Sequence, residues 1–154
     1  MSLLTIGSLQ RMQATELADM MLAAQAAGLD SETSKIAIVD VRDDDYIGGH
    51  IQGSINFPSQ AFEAMMPTLL RKLEGKETVV FHCALSQQRG PSAALRYLRE
   101  KEAVAAADPS QKKSDGEPQQ TVYILDRGFV GWQEKYGPDE RLTEAYRKEI
   151  WEDY

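Results

Sequence analysis

The sequence predicts an α/β domain with a mainly parallel central sheet and helices on both faces. Three short apolar, β-branched segments, at residues 36–41, 78–81 and 121–125, are typical of buried strands. The segments between them carry apolar residues at helical spacing, and strands that alternate with helices build parallel sheets. With 154 residues and 42% hydrophobic content, we expect one domain over residues 1–154 with a substantial core.

The N-terminal part predicts an edge strand, a helix and a loop. Residues 9–12 are a short strand candidate, and a helix follows from about Thr15 to Ala27. Gly28 suits the end of that helix, because glycine readily adopts the left-handed conformation there. Polar residues 30–35 form a loop before the second strand. The helix carries an apolar stripe that we expect to face the core: Leu17, Met20, Met21 and Ala24.

The remaining elements follow from the same reasoning. Residues 62–73 predict an amphipathic helix that faces the sheet, and Gly75 ends it. Another helix covers about residues 90–106. Residues 107–120 carry no side chain suited to burial, which predicts a mobile insertion. Polar residues 142–154 predict a helix that packs back onto the domain through three side chains: Tyr146, Ile150 and Trp151.

Composition narrows the function classes. A net charge of -7 and a pI near 4.9 argue against nucleic-acid binding through a basic surface. No apolar run approaches the roughly 18 residues of a membrane span, and the first residues lack a secretory pattern. The single cysteine, Cys83, makes no internal disulfide, and the few Cys and His residues predict no metal site. We therefore expect an intracellular protein of the cytoplasm or nucleus, where a thiol stays reduced.

The only cysteine and an arginine frame a loop between a predicted strand and a predicted helix. Cys83 follows the strand at 78–81, and Arg89 precedes Gly90 and Pro91, which suit the tight start of a helix. A helix N-terminus presents unpaired N–H groups and positive charge, so the loop is a candidate oxyanion site. The guanidinium of Arg89 would bind two oxyanion oxygens. Six consecutive residues would supply backbone N–H groups: Ala84, Leu85, Ser86, Gln87, Gln88 and Arg89.

The same environment favours a reactive cysteine. Helix N-termini and nearby cations stabilise the thiolate, which is the nucleophilic form. The alternative is a buried, inert cysteine, which is the usual state of a lone cysteine. We favour a nucleophile, because Cys83, Arg89, Gly90 and Pro91 each occupy the position that an anion-binding loop requires.

The loop resembles one branch of the cysteine-dependent phosphatases. Cys83, five residues and Arg89 form the Cys-x5-Arg motif of those enzymes. With His82, Ser86 and residues 90–94, the loop is similar to that of the rhodanese-fold phosphatases. This branch includes the cell-cycle dual-specificity phosphatases and the fungal and protozoan arsenate reductases, and its small fungal phosphatases have the most similar loop. The resemblance implies a rhodanese-like domain.

Two further segments resemble rhodanese patterns. Residues 40–58 are similar to the pattern of Asp-x-Arg, Gly-His-Ile-x-Gly and Asn-x-Pro. Residues 126–132 are similar to a second pattern, in which an Arg-Gly sequence is followed by an aromatic residue and Trp. We expect Asp40 to accept hydrogen bonds from backbone donors and to support the site. Arg42 is expected to pair with Asp45 or a neighbour. His50 lies between turn glycines, so we expect a hydrogen-bonded support outside the chemistry.

A phosphatase of this branch would use Cys83 to attack phosphorus, while the loop N–H groups and Arg89 stabilise the transition state. The leaving oxygen also needs a proton. In the cell-cycle phosphatases a glutamate directly before the arginine is one proposed acid, whereas Gln88 stands there in this chain. Either the substrate monoanion carries the proton, or a carboxylate outside the loop supplies it, with three candidates: Asp43, Asp44 and Asp126. His82 would orient the loop, and the Ser86 hydroxyl would donate to the cysteine, the leaving group or the loop.

Arsenate reduction is the main alternative, because arsenate is nearly isosteric with phosphate. Glutathione or glutaredoxin would then resolve the adduct on Cys83, since the chain has no second thiol. Thiosulfate sulfur transfer ranks third, because the resemblance implies a six-residue loop for sulfurtransferases, and Cys83 to Arg89 spans seven residues. A non-enzymatic phosphate-binding module would not need a nucleophile. We expect no resident cofactor, a phosphate or arsenate oxyanion as ligand, a phosphoprotein as candidate partner, and neither nucleic acid nor membrane.

Overall fold

The computed structural model describes residues 4–107 and 119–152. Its strands are β1 (Gln10–Met12), β2 (Ile36–Asp40), β3 (His50–Ile51), β4 (Ile55–Asn56), β5 (Thr78–His82), β6 (Thr121–Leu125) and β7 (Thr143–Glu144). Its helices are α1 (Ala14–Ala26), α2 (Phe62–Leu73), α3 (Arg89–Ala107), α4 (Gly128–Tyr136) and α5 (Lys148–Trp151), with 3-10 turns at Ile6–Ser8 and Ser59–Ala61.

The central sheet is parallel, as the sequence predicts. Within the described ranges its five strands lie in the order β1-β6-β5-β2-β4, and each neighbouring pair is parallel. β1 is an edge strand, and α2 has the bounds that the apolar spacing of residues 62–73 predicted. The two-residue strands β3, β4 and β7 were not predicted, because segments this short have no periodicity. β3 and β7 form a separate antiparallel pair.

Helices pack on both faces of the sheet because side chains alternate along its strands. In β5, Val79 and Phe81 belong to one core cluster, whereas Val80 belongs to the other. The first cluster includes side chains of α2 and α3, and the second includes side chains of α1 and α4. The near-continuous apolar character of β2 and β5 therefore reflects burial on both faces.

A buried ion pair fixes the segment that follows β2. Asp40 and Arg42 are both 0% exposed, and Nη2 of Arg42 donates to Oδ2 of Asp40 at 2.8 Å. The same nitrogen donates to the carbonyl oxygen of Gly49 at 2.8 Å, and the guanidinium lies 4.4 Å from the ring centroid of Phe129. Of the expected partners of Arg42, Asp45 or a neighbour, the neighbouring carboxylate of Asp40 is the one observed. From Asp45, Arg42 contacts the backbone oxygen alone, at 3.5 Å.

The C-terminal segment differs from the single helix that its polarity predicted. Backbone pairing of β7 with β3 and the positive φ of Ala145 (55°) interrupt any continuous helix before α5. The predicted packing is nevertheless present. Trp151 is 8% exposed, and its Nε1–H donates to the carbonyl oxygen of Gly48 at 2.8 Å.

The predicted insertion at residues 107–120 falls largely outside the described residues. Ala107 is the last residue of α3, and Gln120 is held firmly at the other boundary. Nε2 of Gln120 donates to the carbonyl oxygens of Leu73 and Lys76, and Oε1 accepts from the Tyr97 hydroxyl at 2.5 Å. Gln120 thus belongs to the packed domain rather than to an insertion.

The helices of the described ranges do not meet the requirements of a bilayer span. None of those in residues 4–107 and 119–152 is both long enough and apolar enough to cross a membrane.

We predict that Arg42→Met lowers the free energy of unfolding by about 3 to 5 kcal/mol, because it leaves the Asp40 carboxylate buried without its cation. Urea denaturation would show this as a lower midpoint. Arg71→Met is the control, since Arg71 is exposed on α2, and should change stability by less than about 0.5 kcal/mol. Equal losses in both variants would contradict the role of the ion pair.

Candidate active site

The loop from Cys83 to Arg89 joins β5 to α3 at the carboxyl edge of the parallel sheet. Ligands bind at this edge in open α/β sheets. Sγ of Cys83 accepts hydrogen bonds from the backbone N–H groups of Ser86 at 3.2 Å and Gly90 at 3.4 Å. The cysteine is 3% exposed, so the sulfur lies at the bottom of the loop and is surrounded by donors.

The carbonyl groups of the loop point towards a second helix. The backbone N–H of Phe129 donates to the Cys83 oxygen at 3.0 Å, and that of Val130 donates to the Ala84 oxygen at 2.9 Å. These donors are among the first N–H groups of α4, which have no acceptor within their own helix. In a trans peptide group the C=O and the following N–H point in opposite directions, so the N–H groups of Ala84 and Leu85 point away from α4. Sequence reasoning identified residues 126–132 as a family motif but missed this contact.

The rest of the loop offers unused backbone donors. Among the described residues, none accepts a hydrogen bond from the N–H groups of Ala84, Leu85, Gln87 or Gln88. Successive free N–H groups in a loop of this kind form an anion-binding concavity. The side chains of Leu85, Gln87 and Gln88 are exposed, so the backbone rather than these side chains forms the cradle.

Ser86 contributes through its backbone. Its φ of 57° is left-handed, which directs its N–H to the sulfur of Cys83. The hydroxyl was expected to donate a hydrogen bond, but Oγ is buried without a partner in the described part of the chain. A buried hydroxyl of this kind is suited to an oxygen-bearing ligand.

Arg11, which the sequence analysis missed, fixes the outer side of the loop. Its Nη2 donates to the Ser86 oxygen at 2.9 Å, and its Nη1 donates to Oδ1 of Asp126 at 3.1 Å. Arg11 is in β1, and the parallel register of β1 with β6 brings it to the same sheet edge. A prediction of strand order could have found it.

The guanidinium of Arg89 lies between two carboxylates. Its Nη1 donates to Oδ1 of Asp45 at 2.8 Å and to Oδ2 of Asp43 at 3.1 Å, and its Nη2 donates to Oδ2 of Asp45 at 2.6 Å. The hydrogen bonds from Arg89 lower the pKa of Asp45 to about 2, and Asp45 in turn raises the pKa of Arg89. Asp45, which was one of the two alternatives expected as the partner of Arg42, therefore pairs with the loop arginine instead.

His82 and Asp40 lie beneath the loop. Nδ1 of His82 is 3.1 Å from the carbonyl oxygen of Cys83, and Nε2 is 3.7 Å from Oδ2 of Asp40. Burial lowers the pKa of His82, which favours the neutral ring with its Nδ1–H donating to the loop. Burial raises the pKa of Asp40, but the nearby His82 and Arg42 outweigh it and hold that pKa below its ordinary value.

The remaining polar candidates lie around this centre. Asp43 and Asp126 are both paired with arginines, and Asp44 is exposed. His50 is part of β3, where its ring stacks on Tyr46 at 5.6 Å between centroids. Nε2 of His50 also lies 3.8 Å from Oε1 of Glu144, so its observed contacts are with residues outside the loop.

A groove of about 390 Å³ opens beside Arg89, between α2 and α3. Its lining includes the buried Phe62 and an exposed ion pair, in which Nη2 of Arg96 lies 2.7 Å from Oε1 of Glu63. A second cavity, of about 220 Å³, is lined by residues such as Met21 and Ile38 but by none of the loop. The first groove therefore has the position to accommodate the rest of an oxyanion-bearing molecule.

We predict that Gly128→Ala destabilises the loop contact with α4. A Cβ at this position would lie 2.5 Å from the Ala84 oxygen and 2.6 Å from the Cys83 oxygen, at a φ of 55°. Gly28→Ala is the matched control, because Gly28 has a φ of 79° and open space around an added Cβ. The control bears only the left-handed strain of about 1 to 2 kcal/mol, and Gly128→Ala should lose at least about 1 kcal/mol more in urea denaturation. Equal losses of stability in the two variants would contradict a close contact between the loop and α4.

Comparisons with known proteins agree with this geometry. The family model of the rhodanese-like domain matches residues 16–135. Arsenate reductase 2.2 of Oryza sativa subsp. japonica is 39% identical over 112 residues, which cover 72% of this chain and 79% of that protein. Dual specificity phosphatase ibp1 of Schizosaccharomyces pombe is 39% identical over 116 residues, which cover 72% of this chain and 84% of that protein.

A solved structure extends the similarity to the whole fold. Ygr203w, described as a yeast protein tyrosine phosphatase of the rhodanese family, superposes with a TM-score of 0.68 at 30% sequence identity. The match covers 93% of this chain and 96% of the yeast chain. This protein therefore belongs to the rhodanese-like domain family, in the branch whose members are named Cdc25-like phosphatases and arsenate reductases.

Proposed function

We propose that this protein is a cysteine-dependent phosphatase that hydrolyses phosphate monoesters of the phosphotyrosine or small aryl type. The observation that carries the proposal is the loop itself, in which a sulfur that accepts two N–H donors is surrounded by further free N–H groups and by Arg89. The relatives named dual specificity phosphatase and tyrosine phosphatase support the same reaction.

The reaction would proceed in two displacements. The Cys83 thiolate forms a bond to phosphorus as the ester P–O bond breaks, and the alcohol leaves after taking a proton. Free loop N–H groups and Arg89 stabilise the charge on the oxygens that do not react. Water then attacks phosphorus, the P–S bond breaks, and inorganic phosphate leaves while the thiolate is restored.

The proton for the leaving group has a restricted origin. Gln88 carries no ionisable group, and the pKa values of Asp43 and Asp45 both lie below their ordinary range, so neither carries a proton near neutral pH. Asp126 is paired with Arg11. These contacts support the substrate monoanion as the proton source, although Asp44 stays available as a carboxylate outside the loop.

Arsenate reduction is the second candidate, favoured by 39% identity to a relative named arsenate reductase. Cys83 would bond to arsenic with loss of water, and two electrons from glutathione or glutaredoxin thiols would reduce arsenate to arsenite while a disulfide forms. The external thiol is required because Cys83 is the only cysteine in the sequence. Sulfur transfer and passive phosphate binding rank lower, because of the seven-residue loop and the buried sulfur nucleophile.

Each site residue has a distinct role in this reaction. Cys83 is the nucleophile, residues 84–89 bind the oxyanion, and His82 and Asp40 support the loop from below. We further propose that the chain is a single domain and needs no resident cofactor. Its proposed ligand is a phosphate or arsenate oxyanion, with a phosphoprotein as candidate partner and neither nucleic acid nor a membrane. A cytoplasmic or nuclear location suits a reactive thiol.

We predict that Cys83→Ser abolishes turnover but retains oxyanion binding, because a hydroxyl is a far weaker nucleophile while the N–H groups remain. Wild type and variant are assayed in parallel on an aryl phosphate and in glutathione-coupled arsenate reduction. If wild type releases phosphate and the variant does not, the result supports the phosphatase. If wild type forms arsenite but releases no phosphate, the result supports arsenate reduction. Turnover of an aryl phosphate by the serine variant at the wild-type rate would refute the nucleophile assignment.

We predict that Arg89→Lys lowers kcat/KM, because an ammonium cannot replace the planar fork of the guanidinium. The expected loss of transition-state stabilisation is about 2 to 4 kcal/mol. Steady-state kinetics on an aryl phosphate measure the loss. Arg99→Lys is the control, since Arg99 is an exposed residue of the same helix, and should leave kcat/KM unchanged. An unchanged value for Arg89→Lys would remove Arg89 from the site.

A further inference from the structure

Among the residues that the structure describes, the hydrogen bonds of Arg89 leave one edge of its guanidinium without a partner. A guanidinium has five N–H groups. Both N–H groups of Nη1 are used, one by Asp45 and one by Asp43, and Asp45 uses one N–H of Nη2. The Nε–H and the second N–H of Nη2 remain. These two lie side by side on one edge, which is a geometry that binds two oxygens of one anion.

The two carboxylates are themselves fixed. Oδ2 of Asp43 accepts from the Ser59 hydroxyl at 2.5 Å, and its Oδ1 accepts from the backbone N–H of Gln60 at 2.9 Å. Oδ1 of Asp45 also accepts from the backbone N–H of Asp43 at 3.0 Å. The Asp43 side chain is 12% exposed. The orientation of Arg89 is therefore tied, through the two carboxylates, to Ser59, Gln60 and the backbone of Asp43.

We propose that Asp45, with Asp43 in support, is a positioning residue that holds Arg89 with its Nε edge turned to the oxyanion. The inference rests on the proposed function and adds a determinant of it that lies outside the loop. An arginine side chain has many rotamers, and a free one would have to be ordered whenever the oxyanion binds. The carboxylates order it beforehand, at the position that the transition state requires.

Asp45 also has an effect of opposite sign, because its negative charge repels an oxyanion and so weakens oxyanion binding. The geometry favours positioning over competition. Asp45 binds the outer edge, through Nη1 and Nη2, and so leaves the edge that includes Nε available. Its side chain is also 40% exposed, so water and salt screen its charge. Positioning of Arg89 strengthens oxyanion binding and charge repulsion weakens it, so the sign of the effect of an Asp45 substitution separates the two.

The test is Asp45→Asn, measured in the wild-type and in the Arg89→Lys background. We expect kcat/KM for an aryl phosphate to fall about 10- to 100-fold in the wild-type background, as for a misplaced catalytic group. We expect less than about a 3-fold change when residue 89 is lysine, because a lysine has no fork to orient. Asp45→Glu keeps both carboxylate oxygens and should recover part of the loss.

A binding measurement accompanies the kinetics. Inorganic phosphate should protect Cys83 from alkylation by iodoacetamide, and we expect Asp45→Asn to raise the phosphate concentration required about 10-fold. This readout needs no turnover. If wild type hydrolyses no phosphate ester, the proposed function fails, while phosphate protection still reports whether Asp45 orients Arg89.

Asp139→Asn is the matched control. It removes the same charge from another bidentate pair, in which Asp139 accepts from Nε and Nη2 of Arg141, and neither residue contacts Arg89. It should leave kcat/KM and phosphate protection within about 2-fold of wild type. An equal loss from Asp45→Asn in both backgrounds would overturn the inference, and so would tighter phosphate binding in that variant. If Asp45→Asn does not fold, the same comparison is made with Asp45→Glu, whose loss must again depend on Arg89.

Discussion

The direction of the peptide groups in the loop between β5 and α3 is the constraint on which the site depends. A peptide group has one donor side and one acceptor side, so a loop that turns its N–H groups inward must turn carbonyl oxygens outward. The N-terminus of α4 accepts this arrangement by donating to the oxygens of Cys83 and Ala84. Gly128 permits the close approach, because a Cβ there would collide with both oxygens. The sulfur is consequently surrounded by donors.

A second layer of polar contacts sets the charges around this loop. Arg89 is flanked by Asp45 and Asp43, and Arg11 joins the Ser86 oxygen to Asp126. Arg89 thus connects the loop to the segment after β2, and Arg11 connects it to the residue that follows β6. Asp43, Asp45 and Asp126 are thus all engaged with arginines. Gln88, at the position before Arg89, carries no acidic group. The geometry is better suited to orienting donors than to delivering protons.

The floor of the site is built from buried polar groups that lie against one another, although Nε2 of His82 has no hydrogen-bond partner among the described residues. Asp40 pairs with Arg42, and His82 lies between Asp40 and the Cys83 oxygen. The guanidinium of Arg42 also packs on Phe129, the residue of α4 whose N–H donates to Cys83. The ion pair after β2, the loop after β5 and the start of α4 therefore form one connected unit. The ionic groups that keep the fold intact also fix the loop.

The sequence by itself determined the parallel α/β fold, the edge strand, the bounds of α2 and the position of Cys83 and Arg89 at a helix N-terminus. These features depend on the spacing of apolar residues and on local turn chemistry, which act within a few residues. Only the tertiary structure decided the partners. Asp45 pairs with Arg89, 44 residues away, rather than with Arg42, and Arg11 reaches Ser86 across 75 residues. The tail forms β7 and α5 rather than one helix because a distant strand, β3, supplies its hydrogen bonds. The physical reason is the same in each case: a charged or hydrogen-bonding side chain has several acceptable partners in sequence, and strand order and helix placement select the one within reach.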